Sequence, residues 1–194
     1  MTTITEGGLC FEFPQGWAAD KFDDWDFYRK TFAKIADAKP RCSDCKNELS
    51  ISCGTCGRKK GVGTKGIDIL AIGPDSTCWQ IEVKDYRLNR KPLALVADEV
   101  ALKVRDTLAC LVAAKMNSND ARERKLADAS IQCKRIRVVL HFEQSMPVSR
   151  LSNANTISAN ILARMKQLLK GIDASPLVTS MARTQGVEWA VTQV

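Results

Sequence analysis

Two apolar segments, Ile67-Asp-Ile-Leu-Ala-Ile72 and Cys78-Trp-Gln-Ile-Glu-Val-Lys-Asp-Tyr86, flank the turn-forming stretch Gly73-Pro-Asp-Ser-Thr77 and constrain this chain more than any other feature. Strand-like runs separated by turn residues predict a hairpin. With Ile72 set opposite Cys78, counting outward brings Asp68 opposite Glu82. Side chains alternate along a strand, so Asp68, Leu70, Gln80, Glu82 and Lys84 share one face. Ile67, Ile69, Ala71, Trp79, Ile81 and Val83 share the other, which is wholly apolar and must be covered. A slip of one residue would send the two carboxylates to opposite faces.

Facing carboxylates repel, with Cβ atoms about 4.5–5.5 Å apart, and a sheet does not carry such a pair without relief. A divalent cation supplies it: Mg²⁺ (or Mn²⁺) takes one or two carboxylates together with waters and phosphate oxygens. Lys84 lies on the same side, within reach of the ion's water shell. The alternative is an exposed hairpin edge on which Glu82 and Lys84 only solvate their strand.

Eight cysteines in a chain without a secretory start favour metal over disulfides. Cys42-Ser-Asp-Cys45 and Cys53-Gly-Thr-Cys56 are two Cys-x-x-Cys pairs seven residues apart. Each pair can grip one tetrahedral ion, so a structural Zn²⁺ site within a zinc-binding insertion at 41–60 is expected. Two disulfides or an iron–sulfur cluster are the alternatives. Cys10, Cys78, Cys110 and Cys133 stand alone and read as buried thiols.

Lys and Arg total 29 against 22 Asp and Glu, a net charge of +7 that favours a polyanionic partner. The excess concentrates around the cysteines, at Arg41, Lys46, Arg58, Lys59 and Lys60, which either touch phosphate or are merely solvated. The longest apolar run, Leu108 to Ala114, is far short of the ~18 residues that span a bilayer, so no membrane partner is expected. The start, Met1 to Glu6, lacks the basic and apolar stretches of a signal peptide, and a cytoplasmic location is expected.

Elsewhere, residues 9–13 alternate as a short strand, and 20–38 read as a helix with Trp25, Tyr28, Phe32 and Ile35 on one face. A helix over 93–116 has Ala97, Ala101, Val104, Leu108 and Leu111 as its buried stripe. Asn119 caps a charged helix to about 132. A strand at 136–142, a helix at 156–170 and a final strand at 187–191 complete an α/β domain spanning 1–194, a sheet with helices on both sides. His141, within the apolar strand, reads as a satisfied structural residue. There is no Walker-type phosphate loop and no Ser or Cys nucleophile with a plausible base.

Gly66-Ile-Asp68, a gap of thirteen residues, then Glu82-Val-Lys84 resembles the PD-(D/E)XK nuclease signature. The helix, hairpin, helix and strand from 20 to 142 are similar in order to that superfamily's core. The resemblance implies a restriction-endonuclease-like α/β core with a mixed central sheet. It implies Mg²⁺ held by Asp68, Glu82 and the Val83 carbonyl, with Lys84 beside the attacking water. A further acid from the first helix is implied, best matched by Asp24, with Asp20 and Asp23 competing. Ile67 stands where the family often has proline. The expected function is a Mg²⁺-dependent nuclease hydrolysing nucleic acid, chiefly DNA, in restriction, repair or phage defence, as a homodimer or within a larger complex. Arg58, Lys59, Lys60 and Arg87 are its candidate nucleic-acid contacts, with Tyr86 and Arg87 equally readable as strand-end solvent residues. The rival is a nuclease-like module without turnover that holds nucleic acid or a protein.

Overall fold

The hairpin forms in the expected register. In a computed structural model that describes residues 1–34, 64–87, 93–144 and 154–194, β4 (Ile69–Ile72) and β5 (Thr77–Tyr86) pair antiparallel with Ile72 opposite Cys78 and Ile69 opposite Ile81. The turn is held by Asp75, whose carboxylate accepts from the Thr77 amide at 3.1 Å and the Thr77 hydroxyl at 2.7 Å. Arg135 ties it to the next strand by pairing with Asp75 at 2.7 Å.

Around the hairpin runs a five-stranded mixed sheet in the order β3-β4-β5-β6-β7, with β3 (Ala18–Lys21), β6 (Arg135–Gln144) and β7 (Leu177–Thr179). The β5, β6 and β7 strands are parallel, so long crossovers must join them. Helices α2 (Val96–Asn117) and α3 (Ala121–Ile131) make the first crossover, and α4 (Ala154–Leu169) lies in the second. These helices cover the face that carries Leu70, Cys78, Val138 and Leu140, packing Val100, Val104, Leu111, Ala127 and Met165 against it. No described helix is long and apolar enough to cross a membrane.

The other face is not covered by helices, as was expected, but by a second sheet. The strands β1 (Thr2–Glu6), β2 (Leu9–Phe13) and β8 (Ala190–Gln193) pair antiparallel in the order β1-β2-β8. Leu9, Phe11, Phe13 and Trp189 press onto Ile69, Ala71, Trp79, Ile81 and Val139. A wholly apolar sheet face must be buried by something. Here the aromatic strands near the two ends of the chain do it, and neither helices nor a further strand of the main sheet are needed.

The helix expected over 20–38 is broken within its described part, 20–34, and residues 35–38 lie outside the described residues. Its first residues are captured as β3, which pairs with β4. A 3-10 turn (Phe22–Asp24), the short α1 (Asp26–Lys30) and a second 3-10 turn (Phe32–Lys34) follow. Strand pairing and the burial of Phe22, Trp25 and Phe32 in one core override the helical spacing. Phe22 packs at 4.9 Å from Trp25 and 5.3 Å from Tyr28 between ring centroids. Gly66 makes room for this cluster, since a Cβ there would stand 2.7 Å from the Phe22 ring. Asp120, not Asn119, caps α3, accepting from the amides of Arg122 and Glu123 at 2.7 and 3.2 Å.

Candidate functional site

Asp68 stands one residue before β4, just beyond the last ladder pair Ile69–Ile81, and its carboxylate shares Lys103 with that of Glu82. The segment leading into it is held through its amides. Those of Lys65, Gly66 and Ile67 donate to Asp106 at 3.1 Å, the Tyr28 hydroxyl at 2.6 Å and Thr107 at 3.0 Å. One Asp68 oxygen accepts from the Val83 amide at 2.7 Å, locking the carboxylate across the hairpin.

Glu82 is 1% exposed and Asp68 7%, so both charges are withdrawn from water. The cation between them is Lys103, from α2. Its Nζ lies 3.1 Å from Asp68 Oδ1, 2.8 Å from Glu82 Oε2 and 2.7 Å from Glu82 Oε1. Lys84 approaches Glu82 Oε1 at 3.0 Å and also pairs with Glu99 at 3.2 Å, and Lys65 stands 3.8 Å from Glu99. Glu82 Oε1 therefore has two ammonium neighbours at ion-pair distance, yet neither is aligned for a hydrogen bond.

Burial, and then the facing Asp68, push the Glu82 carboxyl up to about 7 against the pull of both lysines. Burial alone would lower Lys103, but Glu82 and Asp68 outweigh it and hold the ammonium above its ordinary range. The site is an internal salt cluster whose parts depend on one another, since removing one member strands a buried charge.

The hairpin thus brings Asp68, Glu82 and Lys84 together as the alternation predicts, with Val83 pointing into the opposite core. Asp24 is elsewhere: it is exposed and meets Lys21 at 3.5 Å and Arg29 at 3.6 Å. Its neighbour Asp23 is the acid that feels Asp68; burial, then Glu6 and Asp68, raise it to about 6. Arg87 is spent on Asp85, at 2.6 Å, and on Gln193 of β8 at 2.9 Å, which pins the two sheets together. His141 is satisfied, as read from its setting, by Glu143 at 3.1 Å and Thr179 at 3.2 Å. Cys78 and Cys110 are buried, whereas Cys10 and Cys133 are half-buried. Cys42, Cys45, Cys53, Cys56, Arg58, Lys59 and Lys60, with the 41–60 insertion, lie outside the described residues. Among the described residues no three His, Cys, Asp or Glu side chains gather as a metal site does.

The expected stripe of α2 holds at Ala97, Val104 and Leu111, whereas Ala101 and Leu108 are only half-buried and Val100 and Thr107 turn inward beside them, which is why the stripe does not single out Lys103 and Glu99. The buried residues are Val96, Ala97, Val100, Val104, Asp106, Thr107, Cys110, Leu111 and Ala114. Glu99, Lys103 and Thr107 follow one another at spacings of four, which is one helical face. That spacing was the available signal.

No protein-family profile and no solved structure matches the chain. It is 32% identical, over 215 aligned positions, to a cysteine-tRNA ligase of Neisseria meningitidis serogroup A. That alignment takes in 98% of this chain and 30% of the ligase, so the chain spans less than a third of its relative's length. The similarity corrects the expected function: the related protein is a ligase, and the reading as a nuclease, endonuclease or other hydrolase for restriction, repair or phage defence is withdrawn. The physical reason lies in the motif. Two carboxylates on a hairpin specify a place for positive charge, filled here by Lys103, and three residues do not specify that a bond is cut there.

Proposed function

We propose that this chain is a tRNA-binding module of the aminoacylation machinery, one that holds the phosphate backbone beside a divalent cation at Asp68 and Glu82. The observation that carries this reading is the match of nearly the whole chain to a stretch of a cysteine-tRNA ligase. The reading places the chain with an enzyme of the ligase type. The net charge of +7 suits a polyanion, whose binding releases counterions.

The carboxylate pair suits a cation. Glu82 Oε1 is buried and draws two ammonium groups, Lys103 at 2.7 Å and Lys84 at 3.0 Å, and Lys103 Nζ stands close to three carboxylate oxygens, where positive charge is wanted. Asp68 and Glu82 would hold Mg²⁺ or Mn²⁺, with the Val83 carbonyl as the third ligand that the hairpin's resemblance implies. The ion would supply positive charge for a phosphate oxygen. Lys84, half-buried beside Glu82, orients the same oxygen by its charge. The same resemblance supports a restriction-endonuclease-like core used as a scaffold for phosphate, with no hydrolytic step.

Fluorescence anisotropy with a labelled tRNA transcript and a duplex DNA of matched length, in Mg²⁺ or EDTA over a salt series, tests this. tRNA should bind more tightly than DNA, more tightly with Mg²⁺, and be recovered intact. Affinity should fall linearly with salt on logarithmic axes, and Lys84→Ala should reduce the slope by about one. Equal binding of both polymers, or no binding of tRNA, would overturn the reading.

A further inference from the structure

We propose that Lys103 is a displaceable internal counter-ion, which neutralises Asp68 and Glu82 while no divalent cation is bound and turns to RNA phosphate when one takes its place. The inference rests on the cation site proposed above, and its observations are geometric. The Lys103 ammonium contacts the same carboxylate oxygens that a divalent cation would need, at 2.7 to 3.1 Å. A divalent ion on those oxygens, which already face the ammonium groups of Lys103 and Lys84, would meet strong repulsion in a buried setting. Binding of the ion therefore requires Lys103 to leave.

Charge counting gives the direction of its departure. Asp68, Glu82 and Glu99 face Lys65, Lys84 and Lys103, three charges of each sign linked by the contacts already described. With all six groups ionised, these charges cancel. Entry of a divalent ion leaves two positive charges in excess, one of them on a lysine that has lost its partners. Two phosphate diesters of an RNA backbone restore the balance, and a lysine's flexible four-carbon stem lets the ammonium follow them. Lys84 also gives up its contact with Glu82 to the ion but keeps Glu99 as its partner. Cation and RNA then bind cooperatively, each tightening the other by the same factor.

Mn²⁺ binding, read from the free-ion signal in electron paramagnetic resonance, separates the outcomes. The variants are Lys103→Met, Lys103→Gln and Glu82→Gln, with melting curves to confirm that each folds. The Gln variant of Lys103 keeps length and a hydrogen-bond donor should Met fail to fold. Without RNA, the Lys103 variants should bind Mn²⁺ about tenfold more tightly than the natural chain, since a competing charge is gone. A tRNA transcript should tighten Mn²⁺ binding in the natural chain and do so less in the Lys103 variants. Glu82→Gln should bind almost none. If the Lys103 variants bind Mn²⁺ no better than the natural chain while Glu82→Gln abolishes binding, the cation site stands and displacement is wrong. If neither the natural chain nor the Lys103 variants bind Mn²⁺, the cation reading itself falls, and this inference with it.

Discussion

Glu82 is the residue whose protonation the fold alters in the most consequential way. Its carboxyl rises from 4.5 to about 7, because burial and Asp68 oppose its charge more than the lysines favour it. The folded protein therefore holds a proton there that the unfolded chain gives up. The resulting stability is fully present below about pH 4.5 and is lost as pH rises through about 7. Asp23, raised from 3.8 to about 6, acts in the same direction over a lower range. In a chelator, the free energy of urea unfolding should fall by about 2–3 kcal/mol between roughly pH 5 and pH 8. Glu82→Gln should remove most of that fall. A variant that keeps the natural pH slope would show that Glu82 stays ionised throughout.

Among the elements, α1 depends most on its neighbours. With five residues it is too short to persist by its own hydrogen bonds. Its first turn is capped from a distance of almost a hundred residues by Glu123 of α3, which accepts from the amides of Asp26 at 2.6 Å and Phe27 at 3.3 Å. Ser118 donates to the same carboxylate at 2.8 Å. Glu123→Ala leaves these donors without their charged acceptor and should cost about 2–3 kcal/mol. Asp120→Ala removes an ordinary cap from α3 and should cost about 1 kcal/mol. Because Tyr28 of α1 holds the Gly66 amide, the Glu123 change should also speed hydrogen exchange at Gly66 and Ile67. Equal costs, with exchange unchanged at those amides, would mean that α1 is held by its aromatic packing alone.

At the scale of the whole molecule, two cores share one sheet, and the smaller core is an aromatic joint. Trp189 meets Trp79 at 5.2 Å, Phe13 at 5.4 Å and Trp17 at 5.7 Å between ring centroids. Arg137 lies over the outer side of this joint, 5.5 Å from the Trp79 ring centroid. Trp189→Ala should cost about 3–5 kcal/mol, the usual range for an emptied aromatic site. The midpoint of thermal unfolding should fall, with loss of near-ultraviolet circular dichroism at temperatures where far-ultraviolet helicity persists. Trp189→Phe should cost much less, because the Trp189 indole N–H is buried without an acceptor and its removal recovers part of the lost packing. Similar losses for Ala and Phe would show that ring size, and not the emptied volume, governs the joint.

The hairpin and its carboxylate pair were legible from the chain alone. A strand with one apolar face has a single register that buries that face, and a step of one residue reverses every side chain, so alternation sufficed to bring Asp68 and Glu82 to one face. The strands at 9–13 and 136–142 and the helices after 93, 119 and 156 were legible for the same reason, with ends displaced by a few residues. Three things depended on tertiary contacts. The stretch after Asp20 has helical spacing, but pairing with β4 and the burial of three aromatic rings divide it. The covering of the second sheet face depends on bringing the two ends of the chain together, which no local pattern encodes. Finally, the rotation of α2 about its axis selects Lys103 as the cation between the carboxylates. Small apolar residues ring much of that helix, so periodicity alone leaves its facing uncertain by about one residue, and the packing of Val100, Val104 and Leu111 against the sheet decides it.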